Sequence, residues 1–176
     1  MLAIVRPVLT LLLLACATLA LAQRVEPEIT ILPLVINGKR TDVVAHLYKP
    51  EGDGPFPLVI YSHGRAGSSE DRAALKYPVP VGHGNYWLRK GVAVVAPVRP
   101  GYGETGGDDV EHSGTRWKGA TCTTDPDFTR VAVNARRTVV ATYEWALKQP
   151  WVRGDRILVQ GQSVGGLTTV ATAALN

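Results

Sequence analysis

The chain has 176 residues, with 19 Lys and Arg against 15 Asp and Glu, a formal charge of +4. The basic residues are scattered and no basic run is interleaved with aromatics, which argues against nucleic-acid binding. The length supports one domain with its own core, and the sequence shows no internal repeat, low-complexity linker or second domain.

Residues 1–22 read as a leader rather than as part of a fold. Arg6 supplies a positive n-region, Val8 to Ala22 is almost unbroken apolar sequence, and Ala20-Leu21-Ala22 precedes Gln23 as a small-residue cleavage pattern. The run is short for a span of about 20 residues, so a cleaved signal is expected over an anchor. Bulky Leu14, and an apolar run that continues past Cys16, argue against a lipoprotein site there. Residues 23–176 then form one domain, expected in the periplasm or secreted, with no stable membrane association. Its single cysteine, Cys122, is expected to be a buried thiol or to pair with a cysteine in further sequence.

Ile29 to Ile36 reads as a strand, placed at a sheet edge by Pro33. Asn37-Gly38 is a hairpin signal, and Val43 to Tyr48 is the returning strand. Pro50 to Pro57 is a loop. Leu58-Val59-Ile60-Tyr61 and Val92-Ala93-Val94-Val95-Ala96 are continuously apolar, as strands buried on both faces are. Between them, Asn85 to Lys90 reads as a helix closed by Gly91. Gly101 to Gly119 is polar, glycine-rich and aperiodic, a long loop of the kind that is often functional. Asp125 is the expected N-cap and Pro126 the first residue of a helix. Its apolar face is Phe128, Val131, Ala135, Val139, Thr142 and Ala146, and Pro150 ends it. Trp151 to Asp155 leads into the strand Ile157-Leu158-Val159, and a small-residue helix runs to Leu175. Buried strands alternating with helices predict an α/β fold, a mostly parallel sheet with helices on both faces.

Gly161-Gln162-Ser163-Val164-Gly165 joins that last strand to that last helix. A G-x-S-x-G between strand and helix reads as a nucleophile elbow, a strained turn holding the Ser163 hydroxyl at the top of the sheet. Gly161 and Gly165 are expected where a side chain would collide as the chain folds back. Acyl chemistry at a serine also needs backbone N–H donors for the developing oxyanion. The Arg65 N–H, in the loop Ser62-His63-Gly64-Arg65-Ala66-Gly67, and the Val164 N–H are the expected pair. His63 is expected to brace its loop by hydrogen bonding rather than to act as a general base.

Other motifs carry less. Gly101-Tyr102-Gly103-Glu104-Thr105-Gly106 spells a dinucleotide fingerprint, but no helix pattern follows and acidic residues do, so no nucleotide cofactor is expected. Asp108, Asp109, Glu111 and His112 lack a companion ligand cluster and read as a solvated surface, so no metal is expected. Trp117, in the long loop, is the tryptophan singled out for substrate contact.

Four segments together resemble an exported bacterial α/β-hydrolase of the dienelactone-hydrolase-like group, which grades into the prolyl-oligopeptidase-like esterases and peptidases. They are Phe56-Pro57-Leu58-Val59-Ile60-Tyr61-Ser62-His63-Gly64, Val98-Arg99-Pro100-Gly101-Tyr102-Gly103-Glu104-Thr105-Gly106-Gly107, Gln149-Pro150-Trp151-Val152 and Gln160-Gly161-Gln162-Ser163-Val164-Gly165-Gly166. The resemblance implies a cofactor-free Ser-His-Asp hydrolase acting on a small acyl substrate through an acyl-enzyme, with Ser163 as nucleophile and Arg65 and Val164 holding the oxyanion. True dienelactone hydrolases carry cysteine at the elbow. The triad order places the acid and histidine beyond Asn176, so the chain is expected to be a C-terminally truncated copy, the N-terminal half of the fold. An open edge is then expected beside the nucleophile strand, favouring self-association. The rival expectations are a non-catalytic α/β-hydrolase-like binding module and an enzyme whose base comes from a second chain.

Overall fold

A computed structural model describes residues 24–175 of the chain. The expected leader lies outside them. Among the described residues no helix is long and apolar enough to cross a membrane.

The N-terminal hairpin forms as its sequence dictates. β1 (Glu28–Ile36) and β2 (Lys39–Tyr48) pair antiparallel around the Asn37-Gly38 turn. Both turn residues have positive φ, 54° and 74°, as a two-residue hairpin requires. β1 is an edge strand, with Pro33 opposite Asp42. β3 (Phe56–Ser62), β4 (Ala93–Pro97) and β7 (Val152–Gly161) complete the sheet, giving the order β1-β2-β4-β3-β7. The sheet is mixed: β2 runs antiparallel to β4, while β3 runs parallel to β4 and to β7. Among the described residues β7 pairs on one side only, and Leu158 on it is 49% exposed.

Strand alternation divides the core in two. Leu32, Leu34, Val43, Ala45, Leu47, Leu58, Ile60, Ala93 and Val95 face one way, against Val139, Ala141 and Ala146 of α3 (Phe128–Ala146). Tyr48, Val59, Tyr61, Val94 and Ala96 face the other way, with Trp87 and Leu88 of α2 (Val81–Leu88) packed against them. Each buried Val, Leu or Ile contributes about 1.5–3 kcal/mol. α4 (Val164–Ala173) packs beside α3, on the same face of the sheet.

Several boundaries differ from the sequence expectations. Helix α2 begins at Val81 rather than Asn85. A short helix, α1 (Ser69–Ala73), was not expected; its cap is the Ser68 hydroxyl, which accepts from the Asp71 N–H. Helix α3 starts at Phe128, and its N-cap is Asp127, not Asp125: the Asp127 carboxylate accepts from the Arg130 N–H at 2.8 Å. Pro126 precedes the cap, and Phe128 is 56% exposed instead of opening the apolar face. The strand before Ser163 already runs from Val152, with a register shift between Phe56 and Leu58 on its partner. The long loop is partly ordered by a 3-10 turn at Gly103–Thr105 and by a two-strand ribbon, β5 (Trp117–Lys118) with β6 (Thr121–Cys122). Cys122 is exposed rather than buried; its thiol donates to the Thr124 carbonyl at 3.1 Å.

The cap assignment is open to a direct comparison by urea unfolding. Asp127→Ala is expected to cost about 1 kcal/mol, and Asp125→Ala less than about 0.5 kcal/mol.

Candidate active site

Ser163 sits where β7 turns into α4, with φ 54° and ψ −121°. Apart from Asn37 in the hairpin it is the only non-glycine residue with positive φ among the described residues. Such a conformation costs of order 1–3 kcal/mol and persists where its surroundings impose it. Steric crowding imposes it here. A Cβ on Gly161 would strike the Gly165 carbonyl and lie 2.7 Å from the Ser62 carbonyl oxygen; one on Gly165 would strike the Ser62 carbonyl and lie 2.7 Å from that of His63. The two glycines let β7, α4 and the end of β3 approach within backbone contact, as their positions in the sequence predict. Ser163 itself is exposed.

The parallel pairing of β3 with β7 sets Ser62 opposite Gly161, so both strands end at the same level. The loop after β3 therefore meets the elbow: a Cβ on Gly64 would lie 3.5 Å from the Ser163 Cβ. Neither the Arg65 N–H nor the Val164 N–H finds a partner among the described residues. The Val164 amide also begins α4, where the helix leaves N–H groups unpaired and a partial positive charge. The two expected donors thus belong to segments that adjoin at Ser163, each with its hydrogen bond unspent.

His63 is a brace. It is buried, its Nε2 accepts from the Arg99 N–H at 3.1 Å, and its Nδ1 lies 2.7 Å from the Gly64 carbonyl oxygen. Only the neutral ring protonated at Nδ1 satisfies both bonds. Burial, then the nearby Arg99 charge, push its pKa down to about 3. Among the described residues no side chain hydrogen-bonds the Ser163 hydroxyl. The other histidines are engaged or remote in their contacts: His83 Nε2 lies 3.0 Å from Gln160 Oε1, His112 Nδ1 accepts from the Gly114 N–H, and His46 is buried edge-on against Tyr77.

Of the four residues expected on a solvated surface, Asp108 and His112 are exposed, but Asp109 and Glu111 are not. Glu111 is 2% exposed and forms an ion pair with Arg99, itself 0% exposed, at 2.6 Å. Arg99 Nε and Nη2 donate to the two Glu111 oxygens, Nη1 to the Ser62 hydroxyl and the His63 carbonyl, and Nη2 also to the Gly64 carbonyl. All five guanidinium donors are used. The Tyr102 hydroxyl donates to Glu111 at 3.1 Å, and burial followed by the Glu111 charge pushes its pKa up to about 12. Asp109 holds the Arg65 side chain in a fork at 2.6 and 2.7 Å, which keeps its carboxyl below the usual range. Asp109 and Glu111 are thus each committed to an arginine. The glycine motif closes on itself, with Gly101 N–H bonded to the Gly106 carbonyl at 2.6 Å, and opens no helix toward a phosphate.

Sequence reasoning missed Arg99, Tyr102, Asp109 and Glu111 as parts of this site. One signal was present: an arginine directly after the buried strand and Val98 demands an acid nearby, since a buried charge must be paired.

No family model matches the chain, and no curated protein matches it either. Solved structures do. The chain is similar to the esterase Est22 at 19% identity, with 97% of this chain and 46% of that one covered and a TM-score of 0.58. It is also similar to acetyl xylan esterase 1 from Thermoanaerobacterium sp. JW/SL YS485 (21% identity, 86% and 50% covered, TM-score 0.53). A third is 2,6-dihydroxy-pseudo-oxynicotine hydrolase (22%, 85% and 34%, TM-score 0.52). The fold is that of the α/β-hydrolases. The chain spans a third to a half of the length of these α/β-hydrolase-fold structures.

Two outcomes follow from the geometry. Gly165→Ala is expected to cost about 2–3 kcal/mol or more through overpacking. Gly166→Ala meets only the Gly161 carbonyl, at 3.5 Å, and is expected to be neutral or to stabilise α4 by up to about 1 kcal/mol; thermal unfolding of both variants decides. For pH, the His63 pKa falls from 6.5 unfolded to about 3 folded. Its stabilisation is complete above the unfolded value and is lost as pH falls toward the folded one, at about 1.4 kcal/mol per pH unit. His46, also lowered by burial, adds a slope of the same sign. Urea unfolding across that window should show the loss, and His63→Gln should flatten it without abolishing it.

Proposed function

We propose that the chain belongs to an exported, serine-dependent hydrolase of ester or related acyl substrates that works through an acyl-enzyme. The observation that carries this is the positive φ of Ser163 beside two unpartnered amides, those of Arg65 and Val164. In this reading a short hydroxyl on a strained, exposed corner attacks a carbonyl carbon, and the two unspent N–H groups receive the negative charge that develops. Ser163 Oγ attacks, the carbonyl oxygen takes the charge, the leaving alcohol departs with a proton, and water releases the acyl group. A hydroxyl is a weak nucleophile without an adjacent base, so the proposed reaction needs a base besides His63, whose ring nitrogens are both engaged. The names of the similar structures, esterases and a hydrolase, agree with the reaction class.

The rival is a binding module that keeps the elbow without the chemistry. A fluorophosphonate probe separates the two. Covalent labelling of the full chain that Ser163→Ala abolishes is expected for the hydrolase. Well-folded protein that stays unlabelled would favour the module instead.

A further inference from the structure

An oxyanion donor is useful only if its N–H faces the reacting carbonyl. In a trans peptide the C=O and N–H point in opposite directions. For the unit joining Gly64 to Arg65, the carbonyl is fixed from within: the His63 Nδ1–H reaches it at 2.7 Å and Arg99 Nη2 at 3.3 Å. The Arg65 N–H therefore points away from the buried guanidinium, and it is unpartnered among the described residues. Gly64 adjoins Ser163, so the peptide unit that carries this N–H begins beside the nucleophile. A flipped unit would present a carbonyl oxygen there instead and repel the developing charge.

The fixing depends on residues far along the chain. Arg99 reaches the preceding unit as well, through the His63 carbonyl at 2.6 Å, and the Ser62 hydroxyl at 3.0 Å. Glu111 holds the other side of the same guanidinium at 2.6 and 3.0 Å, and the Tyr102 hydroxyl holds Glu111. Asp109, two residues before Glu111, grips the Arg65 side chain and also accepts from the Glu111 N–H. One loop thus anchors both the carbonyl side and the side chain of the proposed donor.

We infer that Arg99 and Glu111 are a positioning pair, which locks the Gly64–Arg65 peptide with its N–H toward Ser163. This rests on the reading of Ser163 as nucleophile and the Arg65 amide as oxyanion donor. The pair acts through the backbone of the loop after β3, not on the substrate.

The test uses the isotopically labelled full chain. The wild type is expected to show a nuclear Overhauser contact between the Arg65 amide proton and the Ser163 Hβ protons. Glu111→Gln keeps the shape and removes the charge; it is expected to lose that contact and to slow the fluorophosphonate inactivation step by about 10²–10³-fold. Reversible binding of the probe should change by less than about 3-fold, a split that general loosening would not produce. Absence of the contact in the wild type overturns the inference. So does a Glu111→Gln protein in which either the contact or the inactivation rate is unchanged. Should that variant fail to fold, Tyr102→Phe removes one donor to Glu111, and roughly a 10-fold slower inactivation with a weakened contact is expected; no change in either again overturns it. If the wild type takes up no probe, the hydrolase reading falls while the Overhauser comparison still decides the positioning pair.

Discussion

A guanidinium with no access to water organises the loops around Ser163. Arg99 stands just past the end of β4, 0% exposed, and an isolated charge so placed would be prohibitive. It is tolerable because its donors are consumed by one carboxylate, one hydroxyl and two carbonyls. Pairs of this kind are weak sources of net stability, but breaking one partner costs about 3–5 kcal/mol because the other is left buried and unmatched. The consequence is geometric more than energetic. The loop after β3 and the loop carrying Asp109 and Glu111 cannot shift independently, since both are tied to the same planar group.

The second constraint is steric and comes from the opposite side. β3 and β7 run in parallel and finish level, Ser62 beside Gly161, so the chain must turn sharply into α4 against the backbone of Ser62 and His63. Glycine at 161 and 165 removes the atoms that would prevent this, and the cost appears as the backbone strain of Ser163. Apolar burial supplies the force. Leu58, Ile60, Ala93 and Val95 on one face and Val59 and Val94 on the other hold the strands in register whatever strain sits at their ends. Packing energy distributed through the sheet thus sustains one unfavourable conformation at its edge.

This division explains what was legible in the sequence. The runs Leu58–Tyr61 and Val92–Ala96 announced buried strands because continuous apolar character has few other uses. Asn37-Gly38 announced its turn for a local stereochemical reason, and Gly161-Gln162-Ser163-Val164-Gly165 announced the elbow because the constraint lies within a few consecutive residues. The anchoring of the oxyanion loop was illegible. Arg99 and Glu111 are 12 residues apart, Arg65 and Asp109 are 44, and each looks like an ordinary polar loop residue until the chain has folded. The cap of α3 shows the same limit on a small scale: Asp125 and Asp127 are both chemically able to cap, and the turn through Pro126 decides between them. Phe128 then stands at the first position of the helix, where it is exposed and lies outside the apolar face.

The corner at Ser163 also restricts which side chains evolution can try in that place. At φ 54° a β-branched residue meets its own backbone, so threonine, which carries an equally competent oxygen, is shut out by shape and not by reactivity. Only short, unbranched substituents fit. Any change of chemistry at this vertex is therefore confined to a narrow alphabet, and the bend of the main chain, rather than the reaction it might serve, writes that alphabet.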